Sequence, residues 1–335
     1  MNQSPRKTKQ QGVTLVELMI AITIGLIIIA GVLQLYATSR NTQKVQDGVA
    51  RLQENARYAF ARLSQDLSQT GFVGCFNYDP ARITNTLAQE AGIGDLYDFE
   101  QPVDAVNGNG PMGTDTLIFR QAAAAATIPL EGYSAQDEPL LVDSGHANYG
   151  PLEQFQVVMV TDCSRAAVFM ITNDPNTSDG TIEHATGVAS PDGQSNVSDD
   201  LENNYGFELD TYPPGGSVGY LYGGSTGAHV FSIGDSAAAG AGEACSAATP
   251  QFCALFKNAD ELVQGVEDFQ VDVGWIDAAG NLRYGEPTAA IDWSTVVRLK
   301  LTITLNSIEE APSAQGIALS KKTFVKTIVM KNQFN

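Results

Sequence analysis

Basic residues are what this sequence has least of. Between positions 121 and 256 it holds one, Arg165, against seventeen acidic residues. The whole chain of 335 residues carries 19 Lys+Arg and 38 Asp+Glu, a formal net charge of −19. Residues 1–72 hold 8 of the basic and 4 of the acidic ones, so the other 11 and 34 leave residues 73–335 at −23. A body of that sign repels phosphate backbones, which are bound through Lys and Arg, and this argues against nucleic acid as a partner. Its acidic runs are read as solvated surface. Histidine is scarce too: His146, His184 and His229 form no pair at metal-ligand spacing, and the four cysteines include no Cys-x-x-Cys, which argues against zinc. The sequence also lacks an Ala-x-Ala site after its apolar run, which argues against a secretory signal peptide removed together with that run.

What is present begins with one long apolar segment. Residues 18–39, 22 positions, carry no charge. As a helix they reach roughly 33 Å, enough to cross a hydrocarbon core of about 30 Å. Arg6, Lys7 and Lys9 stand ahead of the run in a short polar leader. That flank argues for a cytoplasmic N-terminus and an exported body, with Arg40 and Lys44 on the far side as the opposing signal. No proline interrupts the chain between the run and Gly71, and Val45, Val49, Leu52, Ala56, Phe60, Leu63 and Leu67 draw one apolar stripe at spacings of three and four. Read as one helix ending before Gly71, residues 13–70 are 58 positions long, roughly 87 Å, with a first half suited to lipid and a second suited to a packed domain. Gly25 and Gly31 interrupt the apolar half at a spacing of six, which is not a Gly-x-x-x-Gly pair. Two readings remain for them: ordinary glycine enrichment in membrane helices, or close approach and local unwinding during assembly.

Gly12 followed by "VTLVELMIAITIGLIIIAGV" resembles the type III signal of type IV pilins and of the related pseudopilins of type II secretion. The resemblance implies that a membrane-embedded prepilin peptidase cuts between Gly12 and Val13 and methylates the new N-terminus. Val13 departs from the phenylalanine more common at that position. The resemblance also places Glu17 at the family's acidic position, where it would pair with the methylated terminal amine of a neighbouring subunit. An acid at mid-membrane costs about 2.5 to 3.5 kcal/mol on insertion scales, less near an interface, so a compensating charge would be useful. The simpler reading of Glu17 is an acid near the membrane edge, favoured by the positive end of the helix dipole. Further patches, "QENARYAFARLSQDLSQTGFVGC", "TDCSRAAVF", "LVQGVEDFQVDVGW" and "KKTFVKTIVMKNQF", resemble the PilW family of minor pilins, with the J-type pseudopilin, or a membrane-anchored exported binding protein, as the alternative. That resemblance implies a non-enzymatic subunit first held in the inner membrane with a periplasmic head, then part of an extracellular pilus. Its partners would be the major pilin, other minor pilins, the inner-membrane assembly platform and a tip adhesin, and it implies no cofactor.

After Gly71 the periodicity changes. Alternation of apolar and polar residues appears in "TDTLIF", "FQVVMV", "AAVFMIT", "FQVDVGW" and "TFVKTIVM", and in "VVRLKLTITL" it puts Val297, Leu299, Leu301, Ile303 and Leu305 on one strand face. "WIDAAGNLRY" is expected to turn between two strands, while "TNDPNTSDGTIEHATGVASPDGQSNVSDD" and "SAAAGAGEACSAATP" are expected as loops. The expected organisation is a leader over 1–12, an α-helical stalk over 13–70 and a β-rich head over 71–335, an α+β chain. Its four cysteines permit three pairings in an exported protein. The short interval in the sequence favours Cys245–Cys253, which leaves Cys75–Cys163 to tie the end of the stalk to a strand.

Three patterns test for other chemistry. "GGSTG" fits Gly-x-Ser-x-Gly around Ser225 with His229 nearby, but a nucleophile elbow joins a strand to a helix and "AHVFSI" behind it is strand-like. "GNGPMG" over 108–113 fits Gly-x-Gly-x-x-Gly, but it precedes the strand-like "TDTLIF". Both are read as glycine-rich turns. "DPNTSDGTIE" begins like a calcium loop, with Asp174, Asn176, Asp179 and Glu183 as candidate ligands and Asp199, Asp200 and Glu202 as further acids in "SDDLE". Gly180 falls one place late for an EF-hand and no glutamate closes the loop, so a solvated loop is the favoured reading.

Overall fold

A computed structural model describes residues 14–88, 98–99, 101–131, 133–206, 219–224, 226–240, 242–288, 291–313 and 316–330. One helix, α1 (Leu15–Leu67), runs for 53 residues without a break. Thr14 caps it, its Oγ1 accepting from the Glu17 N–H at 3.3 Å. The helix stops at Leu67, three residues short of the expected end, because residues 68–70 close a turn that reverses the chain. Gly71 completes that reversal at φ +70°, where a side chain would be strained, and its N–H donates to the Arg120 carbonyl at 3.0 Å.

The helix divides as its composition dictates. The apolar side chains from Leu15 to Tyr36 are all exposed, whereas Leu52, Ala56, Ala59, Phe60, Leu63 and Leu67 are buried. That buried stripe joins the inner faces of two antiparallel sheets in a single core. A four-stranded sheet runs in the order Leu282–Gly285, Val266–Ile276, Val296–Ser313, Gly316–Val329. In it Val273, Val271 and Phe269 pair with Leu299, Leu301 and Ile303, and all six are buried. A bulge between Gly274 and Trp275 shifts the register so that Val296 is buried along with Val297. The expected turn after Ile276 is present: the Asp277 carboxylate accepts from the N–H groups of Ala279 and Asn281, and Gly280 takes φ +82°.

The second, middle sheet has the order Asp260–Gln264, Cys253–Lys257, Gly227–Asp235, Thr116–Gln121, Val103–Val106. A charged contact ties it to the helix. Lys257 Nζ lies 2.9 Å from the Asp66 carboxylate, with side chains only 13 % and 9 % exposed, and Arg62 reaches the same carboxylate at 3.3 Å. A third, outer sheet has the order Ile83–Asn85, Ala166–Met170, Val157–Thr161, Tyr220–Tyr222, Thr127–Pro129. Its first strand is parallel to Ala166–Met170 and its other pairings are antiparallel. Ala166–Met170 is buried at every position because separate apolar clusters cover the two faces of this sheet. The structure joins Cys75 to Cys163 and Cys245 to Cys253, the first linking the segment after the helix to the outer sheet.

Leu63 is fully buried where helix and sheets meet, so Leu63→Ala should lower stability by about 2–5 kcal/mol, read as a drop in the urea midpoint of the detergent-solubilised chain. Chain separations of 88 and 8 residues predict that replacing both Cys75 and Cys163 by serine costs about 4.5 kcal/mol, against about 2.5 kcal/mol for the Cys245 and Cys253 pair. Equal midpoints for the two double variants would contradict that order.

Candidate functional site: the N-terminal helix

The N-terminal end of α1 is where the candidate site residues of the sequence concentrate. Gly12 and Val13 lie outside the described residues. Glu17 stands in the first turn, behind the Thr14 cap, on a helix whose residues 18–39 carry no charge and whose apolar side chains as far as Tyr36 are exposed. Its backbone N–H is satisfied by Thr14, and among the described residues no ion pair involves its carboxylate. Among the described residues the carboxylate therefore meets only the positive end of its own helix. Gly25 and Gly31 have open space where a Cβ would stand, so contacts within this chain do not require glycine at either position.

At the far end of the apolar segment Arg40 Nε donates to the Tyr36 hydroxyl at 3.1 Å, and its guanidinium lies 5.5 Å from the Tyr36 ring centroid. An aromatic ring with a polar tip beside a long cationic side chain is the composition favoured at a membrane–water boundary. Eleven residues separate this pair from Leu52, the first buried position of the head core. The exposed apolar helix is thus bounded by Glu17 on one side and Arg40 on the other.

The other sequence patterns resolve into turns or fall elsewhere. Ser225 lies outside the described residues, but strands Tyr220–Tyr222 and Gly227–Asp235 flank it, so the motif joins strand to strand. Thr226 Oγ1 accepts from the Ala123 N–H at 2.9 Å, and His229 is buried with its ring 5.1 Å from that of Phe119. The 108–113 glycines form a hairpin turn in which Gly108 N–H donates to Asp115 at 2.8 Å and Gly110 N–H to the Thr114 carbonyl at 2.8 Å. Asp115 also accepts from the Val271 N–H at 2.8 Å, joining the middle sheet to the four-stranded one; burial raises its pKa and these two hydrogen bonds oppose the rise.

In the 174–183 loop the candidate calcium ligands are engaged locally. Asp174 caps a short 3-10 turn by accepting from the Asn176 N–H at 3.0 Å, and Asp179 accepts from the Ser144 hydroxyl at 3.0 Å. Gly180, at φ +86°, lets the chain pass the Val142 carbonyl where a Cβ would come within 2.3 Å. Glu183 is bound through its backbone, its N–H donating to Asn173 and its carbonyl accepting from Thr172. Among the described residues no three His, Cys, Asp or Glu side chains are grouped to hold a metal ion.

Sequence reasoning missed Asp66 and its partner Lys257. The signal was available in part, since Asp66 falls three positions after Leu63 on the face that carries the apolar stripe.

Comparison with known proteins matches residues 7–33 to the prokaryotic N-terminal methylation motif. No curated protein and no solved structure matches the chain. The motif supports a type IV pilin-like or pseudopilin-like protein processed by a prepilin peptidase. With the single exposed apolar helix, it fits a membrane-anchored chain carrying an exported head.

The bounds at Glu17 and Arg40 predict a labelling pattern in membranes. A cysteine at Ile22→Cys should resist a polar maleimide, while Gln43→Cys, beyond the Tyr36–Arg40 pair, should react at least tenfold faster. Equal reactivity would mean that the helix does not sit in lipid with these limits.

Proposed function

We propose that this chain is a minor pilin of a type IV pilus, of the PilW kind, which acts with other minor pilins to initiate assembly and occupies the tip complex. One observation carries the reading. The methylation motif runs directly into a helix that continues, unbroken over Leu15–Leu67, from an exposed apolar half into the core of a β-rich head. A precursor can rest in the bilayer on that helix and, once cut, move into a filament without refolding its head, because the head grips only the second half. The role is structural and needs no cofactor. In it, Gly12 and Val13 form the cleavage and methylation site, and Glu17 receives the methylated amine of a neighbouring subunit. The partners are the major pilin, the other minor pilins, the assembly platform and, at the tip, an adhesin.

The test is direct. Filaments sheared from the producing cells should contain this chain with a methylated Val13 as its first residue, by mass spectrometry. Its absence from filaments, with the precursor cleaved normally, would move it to a secretion pseudopilus or to a permanent membrane anchor. Glu17→Ala should leave cleavage after Gly12 intact and lower incorporation by about tenfold, the scale set by leaving a charge uncompensated in a membrane-like core. Unchanged incorporation would remove the pairing role from Glu17.

A further inference from the structure

Two open hollows of about 780 and 960 Å³ share Thr288, Ile291 and Asp292, and so form one two-lobed groove. The chain has two tryptophans and both line it, Trp293 in the first lobe and Trp275 in the second, where Ile276 and Ile291 stand beside it. Asp104, Asp277, Glu286 and Asp292 surround this floor, and no lysine or arginine is among the described lining residues. Asp277 already holds the Arg283 guanidinium at 2.9 Å, and Asp292 accepts from the Ser294 N–H at 3.0 Å. Burial raises the pKa of the half-buried Asp104 against the opposing pull of Arg120, so a further cation in the groove would favour its charged form.

The strand Val296–Ser313 fixes the height of the groove along α1. Ser307 lies beside Gly48, where an added Cβ would stand 3.4 Å from that of the serine. Leu301 pairs with Lys326, whose Nζ reaches the Phe60 carbonyl at 3.5 Å. From Ser307 back to Leu301 the strand therefore follows the helix from Gly48 towards Phe60. Five more residues, roughly 16 Å, carry it to Val296, beyond the helix end at Leu67. Val296 pairs with Trp275 across the sheet. The groove thus lies at the end of the head remote from the apolar half of the helix, the end that leads when a filament leaves the membrane.

The carboxylates are spread along the groove, and among the described residues no three of them are grouped to hold one ion, so several separated cations suit it better than a metal. An apolar and aromatic floor inside a polar rim is the anatomy of a protein interface. Arginine suits both parts, because its planar guanidinium stacks on tryptophan and its fork of N–H groups meets carboxylates. We propose that the groove lined by Trp275, Trp293, Asp104, Glu286 and Asp292 receives an arginine-bearing, partly apolar segment of the protein seated on the tip side of this chain. The contact rests on the filament reading above and states the chemistry of that neighbour. It weakens with salt, since its rim is exposed.

Because both tryptophans line the groove, their emission in the full-length chain, held in a neutral detergent, reads its occupancy. A short peptide alternating arginine and leucine should shift that emission saturably, and a peptide with glutamate in place of arginine should not. Glu286→Lys with Thr288→Lys, at two exposed positions, should weaken the arginine peptide about tenfold, whereas Asp192→Lys with Asp199→Lys, exposed on the outer loops, should change it by less than about twofold. An unchanged urea midpoint in each variant keeps a loss assignable to the surface. No response in the unaltered chain overturns the proposal, as does equal loss in the two double variants, which would trace the response to overall charge. An emission shift on removing residues 331–335, with no response to peptide, overturns it by giving the groove to the chain's own tail. In the producing cells a photoreactive residue at Ser294 should link this chain to a different exported protein, through a peptide that contains arginine, and Glu286→Lys with Thr288→Lys should cut that link about tenfold. With the chain present in sheared filaments, no link, or linkage to the major pilin or a second copy, overturns the contact alone. Absence from sheared filaments removes the filament reading, and the peptide response still decides whether the groove takes such a segment.

Discussion

One helix serves two solvents, and the rest of the molecule is arranged around that constraint. From Leu15 to Tyr36 α1 offers apolar side chains in every direction, the pattern of a segment that lipid or other helices must surround. From Leu52 onward it keeps a single buried stripe, the pattern of a helix lying on a sheet. Neither half has proline, so the backbone does not register the change, and the side chains alone decide where each half belongs. The Tyr36–Arg40 pair and the short solvated stretch before Leu52 form the border.

The head holds the second half of the helix by two unlike means. Apolar contact supplies most of the attraction, through Leu52, Phe60, Leu63 and Leu67 against strands of both inner sheets. The contact of Asp66 with Lys257 and Arg62 does something different, since burying charge offsets much of what its attraction returns. Its value lies in position. A helix that slid by one turn along the sheets would carry a carboxylate into an apolar core and leave Lys257 without its partner. The pair therefore selects one axial register for the helix, and with it the distance between the head and the membrane-facing end.

Much of this was legible in the residues. The apolar run and the three-four spacing behind it identified the helix to within three residues of its end, because both are local patterns that reach across many positions. Alternation likewise exposed residues 296–305 of the long strand Val296–Ser313, though not the bulge that buries Val296 along with Val297, since a bulge depends on the partner strand. What the sequence hid was the division of the head into three larger sheets and two two-stranded ones. Strands such as Ile83–Asn85 and Thr127–Pro129 span three residues each, too short for alternation to show. Their membership is decided by partners far away in the chain. The same holds for the candidate site: Gly12, Val13 and Glu17 could be read in order, while Lys257 reaches Asp66 from a strand far along the chain.

The connectivity of the outer sheet separates assembly from whatever the head displays. The chain leaves the middle sheet at the end of Thr116–Gln121 and returns to it at Gly227–Asp235, and these two strands are neighbours, with Gln121 paired to Gly227. Everything between starts and finishes at the shared end of two adjacent interior strands. The helix and both inner sheets thus share a core that does not include the inserted residues, whose apolar side chains form one cluster of their own and share a second with Val73, Ile83, Leu87 and Phe99. Cys75–Cys163 and the parallel strand Ile83–Asn85 then fasten the insertion to the chain just beyond the helix, so its freedom is limited even though its core is separate. Loops on such an insertion can change sequence and charge without disturbing the contacts that hold α1.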